Sequence, residues 1–242
     1  MRADMVLVEK HLAASRQKAK ELIETGAVKA DGIIVKKASQ TLSKSADITV
    51  DSPLQGWVSR GALKLLGGLT AFPDITIKDR ICVDLGASTG GFTQVLLAQG
   101  AAHIYAVDVG HGQLSPKIAK SPRVTSLEKT NARALSVAEL PDPFCVIVSD
   151  VSFISLTLAL PPAMALAEVG AHLIALIKPQ FEVGRDGLDK GGIVKNEALR
   201  DKAVADITAF IIAQNWQVLG TTPSPITGPD GNVEYLIAAV KG

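Results

Sequence analysis

From residue 81 to the end of the chain, short, largely apolar runs alternate with longer stretches in which apolar residues recur every three or four positions. The runs fall at 82–85, 104–107, 124–127, 145–149, 173–177, 217–221 and 234–239. Most are rich in Val, Ile and Leu and too short for helices, so they predict strands, several of them buried on both faces of a parallel sheet. The helically spaced stretches predict helices near 61–71, 90–99, 155–168 and 197–214, the last capped by Asn196. Strand and helix in alternation predict an α/β fold with a doubly wound, Rossmann-like seven-stranded sheet. Ligands of such sheets sit beyond the carboxyl ends of the strands, so strand tips are where chemistry is to be sought.

The first fifty residues follow another pattern. Met5, Leu7, Val8 and Leu12 sit at roughly helical spacing, and Ser15 is a plausible N-cap for a second helix, SRQKAKELIETG, stopped by Gly26. Val28, an Asp31-Gly32 turn, an apolar run at 33–35 and a strand near 48–50 predict a small hairpin sheet. Proline, glycine and polar residues interrupt the periodicity in SPLQGWVSRG, 52–61. The expected organisation is therefore a small α+β domain over 1–52, a linker over 53–60 and a large domain over 61–242.

Composition narrows the classes. Hydrophobic residues make up 47% of the 242, ample for a core and against disorder. The net charge of +1 hides an asymmetry: residues 1–60 carry 10 Lys and Arg against 7 Asp and Glu, whereas 61–242 carry 15 against 17. A basic small domain hints at a nucleic-acid partner, and Arg16, Lys18, Lys20, Lys29, Lys36 and Lys37 cluster on or near its second helix and turn. Cys82 and Cys145 lie inside apolar runs, which with no visible signal peptide suggests a reducing cytoplasm. The most apolar stretch, 158–177, contains Pro161, Pro162, Glu168, Gly170 and His172 and reads as helix, turn and strand, not as a membrane span. His11, His103, His111 and His172 are scattered and make no metal-ligand spacing, so no metal is expected.

The candidate chemistry begins at 81–93, ICVDLGASTGGFT, where a strand breaks into a glycine turn and enters a helix. About 20 residues on, HIYAVD ends in Asp108, where nucleotide-binding α/β folds place a ribose-gripping carboxylate. Ser88 stands where a dinucleotide turn would need its middle glycine, so NAD is disfavoured. The D-x-G-x-x-x-G turn suits S-adenosylmethionine, which has no pyrophosphate to seat. Lys64, Asp150, Lys178 and Glu234 are further ionisable residues at strand tips and edges. Each alone reads equally well as a charge where a strand meets solvent. Lys178 is harder to dismiss, because five apolar residues precede it. Burial disfavours a charged ammonium and neighbouring carboxylates favour it, so its protonation depends on both.

Residues 2–50 resemble the small RNA-binding S4 domain, through Arg2, Asp4, Ser15, Arg16, Ala19, Ile23, Gly26, Val28, Gly32, Val35 and Lys37. Lys64, Asp150, Lys178 and Glu234 repeat, in order, the Lys-Asp-Lys-Glu set of FtsJ-like ribose methyltransferases. WVSRGALKL, VDLGASTGGFT, AVDVGHGQL, SDVSFISLTL, LIKPQFEVGR and SPITGPDGNVEYL extend the resemblance over essentially the whole chain to the TlyA family, also called haemolysin A-like. Trp57 stands where that family more often has tyrosine, and Ala62 where it usually has a second glycine.

The resemblance implies methyl transfer from S-adenosylmethionine to a ribose 2′-hydroxyl, of cytidine, in ribosomal RNA. It implies catalysis by Lys64, Asp150, Lys178 and Glu234. It places the cofactor on Asp84, Gly86, Ala87, Ser88, Gly90, Phe92, Asp108, Val109, Asn131 and Asp150, with Asn131 toward the adenine. Arg2, Arg16, Lys18, Lys20, Lys36, Lys37 and Arg60 are the expected RNA contacts, on ribosomal RNA or ribosomal subunits. Competing readings are a non-catalytic RNA-binding assembly factor, an NAD-dependent oxidoreductase and a cytolysin.

Overall fold

The computed structural model describes residues 1–13, 15–50, 56–228 and 230–242, and divides into two compact units, Met1–Arg60 and Gly61–Gly242. The expected domain end at 52 and the first part of the expected linker, 53–55, lie outside the described residues.

The small unit holds α1 (Ala3–Glu9), α2 (Arg16–Glu24), β1 (Val28–Ala30), β2 (Ile33–Ile34) and β3 (Ile48–Val50), the strands antiparallel in the order β2-β1-β3. α1 buries Ala3, Val6 and Leu7, and α2 buries Ala19, Leu22 and Ile23, each an i, i+3, i+4 stripe. Met5 and Leu12 are thus not the inward face their spacing suggested. Met5 is exposed on the far side of α1, and Leu12 lies exposed beyond its end, after His11 turns to φ +56°. At α2 the Ser15 side chain accepts from Lys18 N at 3.2 Å. Asp31 and Gly32, at φ +49° and +79°, join β1 to β2.

The large unit is a seven-stranded sheet with helices on its faces. Its elements are α3 (Gly61–Ala71), β4 (Ile81–Leu85), α4 (Gly91–Ala98), β5 (His103–Val107), α5 (Pro116–Ala119), β6 (Val124–Leu127), β7 (Val146–Ser149), α6 (Leu156–Ala159), α7 (Pro161–Leu166), β8 (His172–Ile177), α8 (Pro179–Glu182), α9 (Glu197–Ala213), β9 (Trp216–Pro223) and β10 (Tyr235–Lys241). The order is β6-β5-β4-β7-β8-β10-β9, with β4 to β8 parallel and β10 antiparallel to both β8 and β9. The winding reverses between β4 and β7, which opens a crevice at the carboxyl ends of those two strands.

The single helix expected over 155–168 is broken. Pro161 and Pro162 lack the N–H a continuing helix needs, so α6 ends and α7 begins with proline at its first position. Glu234, expected to open the last strand, stands immediately before β10.

In the small unit, Asp4 is 4% exposed and paired with two guanidiniums, Arg2 Nε at 3.0 Å and an Arg16 terminal nitrogen at 2.9 Å. These hydrogen bonds, Arg2 first, hold its carboxyl down to about 2 from 3.8. A folded-state value below the unfolded one gives stabilisation that is present above 3.8 and lost as pH falls through about 2. Amide protection in α1 and α2 should fall across that interval. Asp4→Asn should already lower protection at neutral pH and flatten the acid dependence; equal protection in the variant would show that the pairs add nothing.

Candidate active site

β4 delivers its chain into a turn that only unusual backbone angles can make. Gly86 lies at φ +83°, and a Cβ there would sit 2.9 Å from Val151 N and 3.0 Å from Asp150 O, both backbone atoms that cannot swing away. Ser88 adopts φ +47°, and Gly90, at φ +94°, starts α4. Asp108, just past β5, closes the turn: one carboxylate oxygen accepts from Ser88 N at 2.8 Å and the other from Gly110 N at 2.7 Å.

The crevice beyond this turn holds a cavity of about 560 Å³. Gly86, Ser88, Asp108, Val109, Asn131 and Asp150, all expected cofactor contacts, line it. Asn131 also caps the short turn of helix at Ala132–Ala134, its side chain accepting from Arg133 N at 3.0 Å. Asp84, Ala87, Gly90 and Phe92, also expected, do not reach the wall. They are buried, Asp84 in β4, Ala87 and Gly90 in the turn and Phe92 in the first turn of α4. Asp84 is fully buried, with one oxygen accepting from Thr93 Oγ1 at 2.5 Å and the other without a hydrogen-bond partner among the described residues. Desolvation above all, with the nearby Asp150 and Asp108 charges, pushes its carboxyl up to about 7.

Beside the cavity stand two buried ion pairs. Lys64, on α3, donates to Glu234 Oε2 at 2.6 Å, with the side chains 5% and 1% exposed. Lys178, at the end of β8, lies 2.7 Å from Asp150 Oδ1 and also donates to Ser152 Oγ at 2.7 Å and Asp150 O at 3.3 Å. The β8–β10 ladder ends with Tyr235 opposite Ile177, so the next residues outward, Glu234 and Lys178, are neighbours across it. Two lysines are thereby held by two carboxylates at the carboxyl edge of the sheet. Glu234 Oε1 has no hydrogen-bond partner among the described residues.

Residue-type reasoning passed over Ser152 and Phe153. Phe153 lines the cavity, is 90% exposed at φ +63°, and packs a tilted ring on Phe181 at 5.1 Å. Their signal was position alone, in the two or three residues that follow an acidic strand tip.

In the small unit, an open groove of about 610 Å³ is lined by Arg2, Arg16, Lys20, Lys36 and Lys37 with Asp4 and Glu24, the latter 3.6 Å from Lys20. Lys18 is not on it; its ammonium pairs with Glu21 at 3.6 Å. Arg60, part-buried, is not on it either. Among the described residues no helix is long and apolar enough to cross a membrane, and no cluster of three metal-ligating side chains forms.

Residues 57–241 match the FtsJ-like methyltransferase family and residues 1–48 the S4 domain. The chain is 44% identical to the 16S/23S rRNA (cytidine-2′-O)-methyltransferase TlyA of Mycobacterium tuberculosis over 98% of this chain and 88% of that one. It is 37% identical to the 23S rRNA (cytidine-2′-O)-methyltransferase TlyA of Campylobacter jejuni over 100% of both. A solved structure from Streptococcus thermophilus, described as a hemolysin, superposes with a TM-score of 0.79 at 36% identity, over 100% of this chain and 88% of that one.

The buried Asp84 carboxyl yields a pH test. Its folded value of about 7 exceeds the ordinary 3.8, so the folded state keeps a proton that the unfolded chain releases. Its contribution to stability is full below 3.8 and is lost as pH rises through about 7. Asp84→Asn keeps an acceptor for Thr93 and needs no proton. Its melting temperature should therefore gain on the native protein's between pH 5 and pH 8. Parallel curves would show that Asp84 ionises freely in the fold.

Proposed function

The chain belongs to the TlyA family of FtsJ-like methyltransferases, and from that membership we propose that it transfers the methyl group of S-adenosylmethionine to a ribose 2′-hydroxyl of cytidine in ribosomal RNA. The observation that carries the reading is the set of two buried lysine–carboxylate pairs at the carboxyl edge of the sheet, against a cavity walled by the glycine turn.

The residues present fit the cofactor. Gly86 and Ser88 wall the cavity with little side-chain bulk, and Asp108 and Asp150 give the wall two carboxylates suited to a cationic ligand with a ribose diol. Gly86, Ser88, Asp108, Val109 and Asn131 would hold it. When bound, it supplies an electrophilic sulfonium methyl. The protein's part is to aim the 2′-hydroxyl and deal with its proton. Lys178, fixed by Asp150 and Ser152, is the group assigned to that proton. Lys64, fixed by Glu234, sits as a second positive charge where an alkoxide develops. The groove on the S4 domain offers five cationic side chains to the phosphate backbone of structured RNA.

The competing readings explain less. A protein that only bound RNA would have no use for two desolvated ion pairs in its second unit, where isolated buried charges are costly. The cytolysin reading finds no support in the helices: among the described residues none is long and apolar enough to cross a membrane.

Incubation with ribosomal subunits and methyl-labelled cofactor should place the label on a ribose 2′-oxygen, and absence of label at every ribose refutes the proposal. Lys178→Ala should cut turnover by about 10²–10⁴-fold, with the fold retained by circular dichroism and the melting temperature lowered by the Asp150 charge left unpaired. Lys178→Arg should fail almost as badly, since a guanidinium stays protonated near neutral pH. Robust turnover by the arginine variant would leave Lys178 a purely electrostatic role. Asp108→Ala should weaken cofactor binding by about 1–3 kcal/mol in calorimetry. Unchanged affinity would mean that Asp108 serves only to tie Ser88 and Gly110.

A further inference from the structure

The segment from Asp150 to Leu156 joins β7 to α6 and supplies Asp150, Val151, Ser152, Phe153 and Ile154 to the cavity wall. It has little regular structure of its own, and Phe153 holds a positive φ that an aromatic residue seldom adopts. Its start is tied to β4 by Asp150 N donating to Leu85 O at 3.0 Å and lies over the Gly86 turn; its side-chain anchors come from the five residues that end β8 and form α8. Lys178 grips its start through Asp150 and Ser152, and Phe181 packs on Phe153 in its middle. Glu182 grips its end: Oε2 accepts from Ser155 Oγ at 2.5 Å and Oε1 from Leu156 N at 3.0 Å. Ser155 Oγ in turn accepts from Thr157 N at 3.2 Å, so α6 is capped through the same carboxylate.

We propose that Glu182 is a positioning residue for methyl transfer, which clamps the 150–156 segment to α8 and so sets Asp150 against Lys178 and Phe153 against the cavity. The inference rests on the functional reading above. Glu182 touches neither the cavity nor the Lys178–Asp150 pair and acts only through the segment it holds. The carboxylate is half-buried, and burial pushes its carboxyl up from the usual range while Ser155 and Leu156 oppose the shift. Desolvation of that kind is tolerated where the hydrogen bonds made in return fix a geometry. Misplacing catalytic groups by about 1 Å costs on the order of 100-fold in rate.

The test compares the full-length native protein with Glu182→Ala and Glu182→Gln. One readout is amide hydrogen exchange without cofactor or RNA; the other is turnover on ribosomal subunits at saturating cofactor. Glu182→Ala should speed exchange at 151–156 while the β4 to β8 core stays protected. Turnover should drop by about 10- to 100-fold, with the melting temperature within a few degrees of native. Glu182→Gln, which keeps an acceptor for Leu156 N and a polar partner for Ser155, should restore exchange to the native pattern and most of the turnover. Native-like turnover in Glu182→Ala overturns the inference, and so does loss of protection spread through the whole sheet. Absence of methyl transfer by the native protein overturns the functional reading itself, a result distinct from an active enzyme indifferent to Glu182.

Discussion

Two lysine ammonium groups at one edge of a sheet, both almost out of contact with water, require two carboxylates, and the need to place those carboxylates shapes the large unit. Removing one partner of a buried pair typically costs about 3–5 kcal/mol, because the other charge is left stranded. Four separate elements meet that demand: α3 brings Lys64, the end of β7 Asp150, the end of β8 Lys178 and the approach to β10 Glu234. The direction of β10 is decisive. Running antiparallel to β8, it begins at the edge where the parallel strands finish, so the residue before it falls beside Lys178. A parallel last strand would begin at the opposite edge and leave Lys64 without its carboxylate.

The same edge is crowded by backbone as well as by charge. Gly86 turns directly under Asp150 and Val151, close enough that no side chain fits between. The turn that walls the cavity and the segment that carries Asp150 therefore support each other. Asp84, behind the turn, ties β4 to α4 through Thr93, and its burial beside two other carboxylates is what makes its proton hard to remove. The glycine turn thus has two faces. One, at Gly86 and Ser88, walls the cavity; the other, at Asp84 and Phe92, packs into the interior.

That division explains what could be read from the sequence and what could not. Largely apolar runs located every strand of the large sheet to within two residues at each end; the signature is strongest in β4, β5, β7 and β8, buried on both faces, and weakest in the edge strands β6 and β9. The first residue of β8, His172, escaped because it is polar and only part-buried at the sheet's rim. Helical spacing ran through Pro161 without registering that the ring ends one helix and starts another. Motif position gathered Asp84, Ala87, Gly90 and Phe92 with Gly86 and Ser88, yet adjacency along the chain does not say which of them line the cavity. Glu182 was invisible for a plainer reason. Its partners Ser155 and Leu156 lie more than twenty residues away, and only the fold brings them within hydrogen-bond reach.

Charge is sorted between the two units according to what each would hold. The small unit gathers Arg2, Arg16, Lys20, Lys36 and Lys37 around one groove and spends its buried carboxylate, Asp4, on fixing the two arginines. Each of those guanidiniums gives Asp4 only part of its fan of donors, which leaves the rest for phosphate oxygens. Lys18 and Lys20 each pair with a glutamate of the same helix at 3.6 Å, but only Lys20 lies on the groove. In the large unit the arrangement is inverted: carboxylates wall the cavity, and the lysines are withdrawn into ion pairs beside it. A polyanion and a sulfonium make opposite demands, and a single surface of uniform sign would serve one of them badly. The near-zero net charge of the whole chain is the sum of two opposed local fields, each matched to a different ligand.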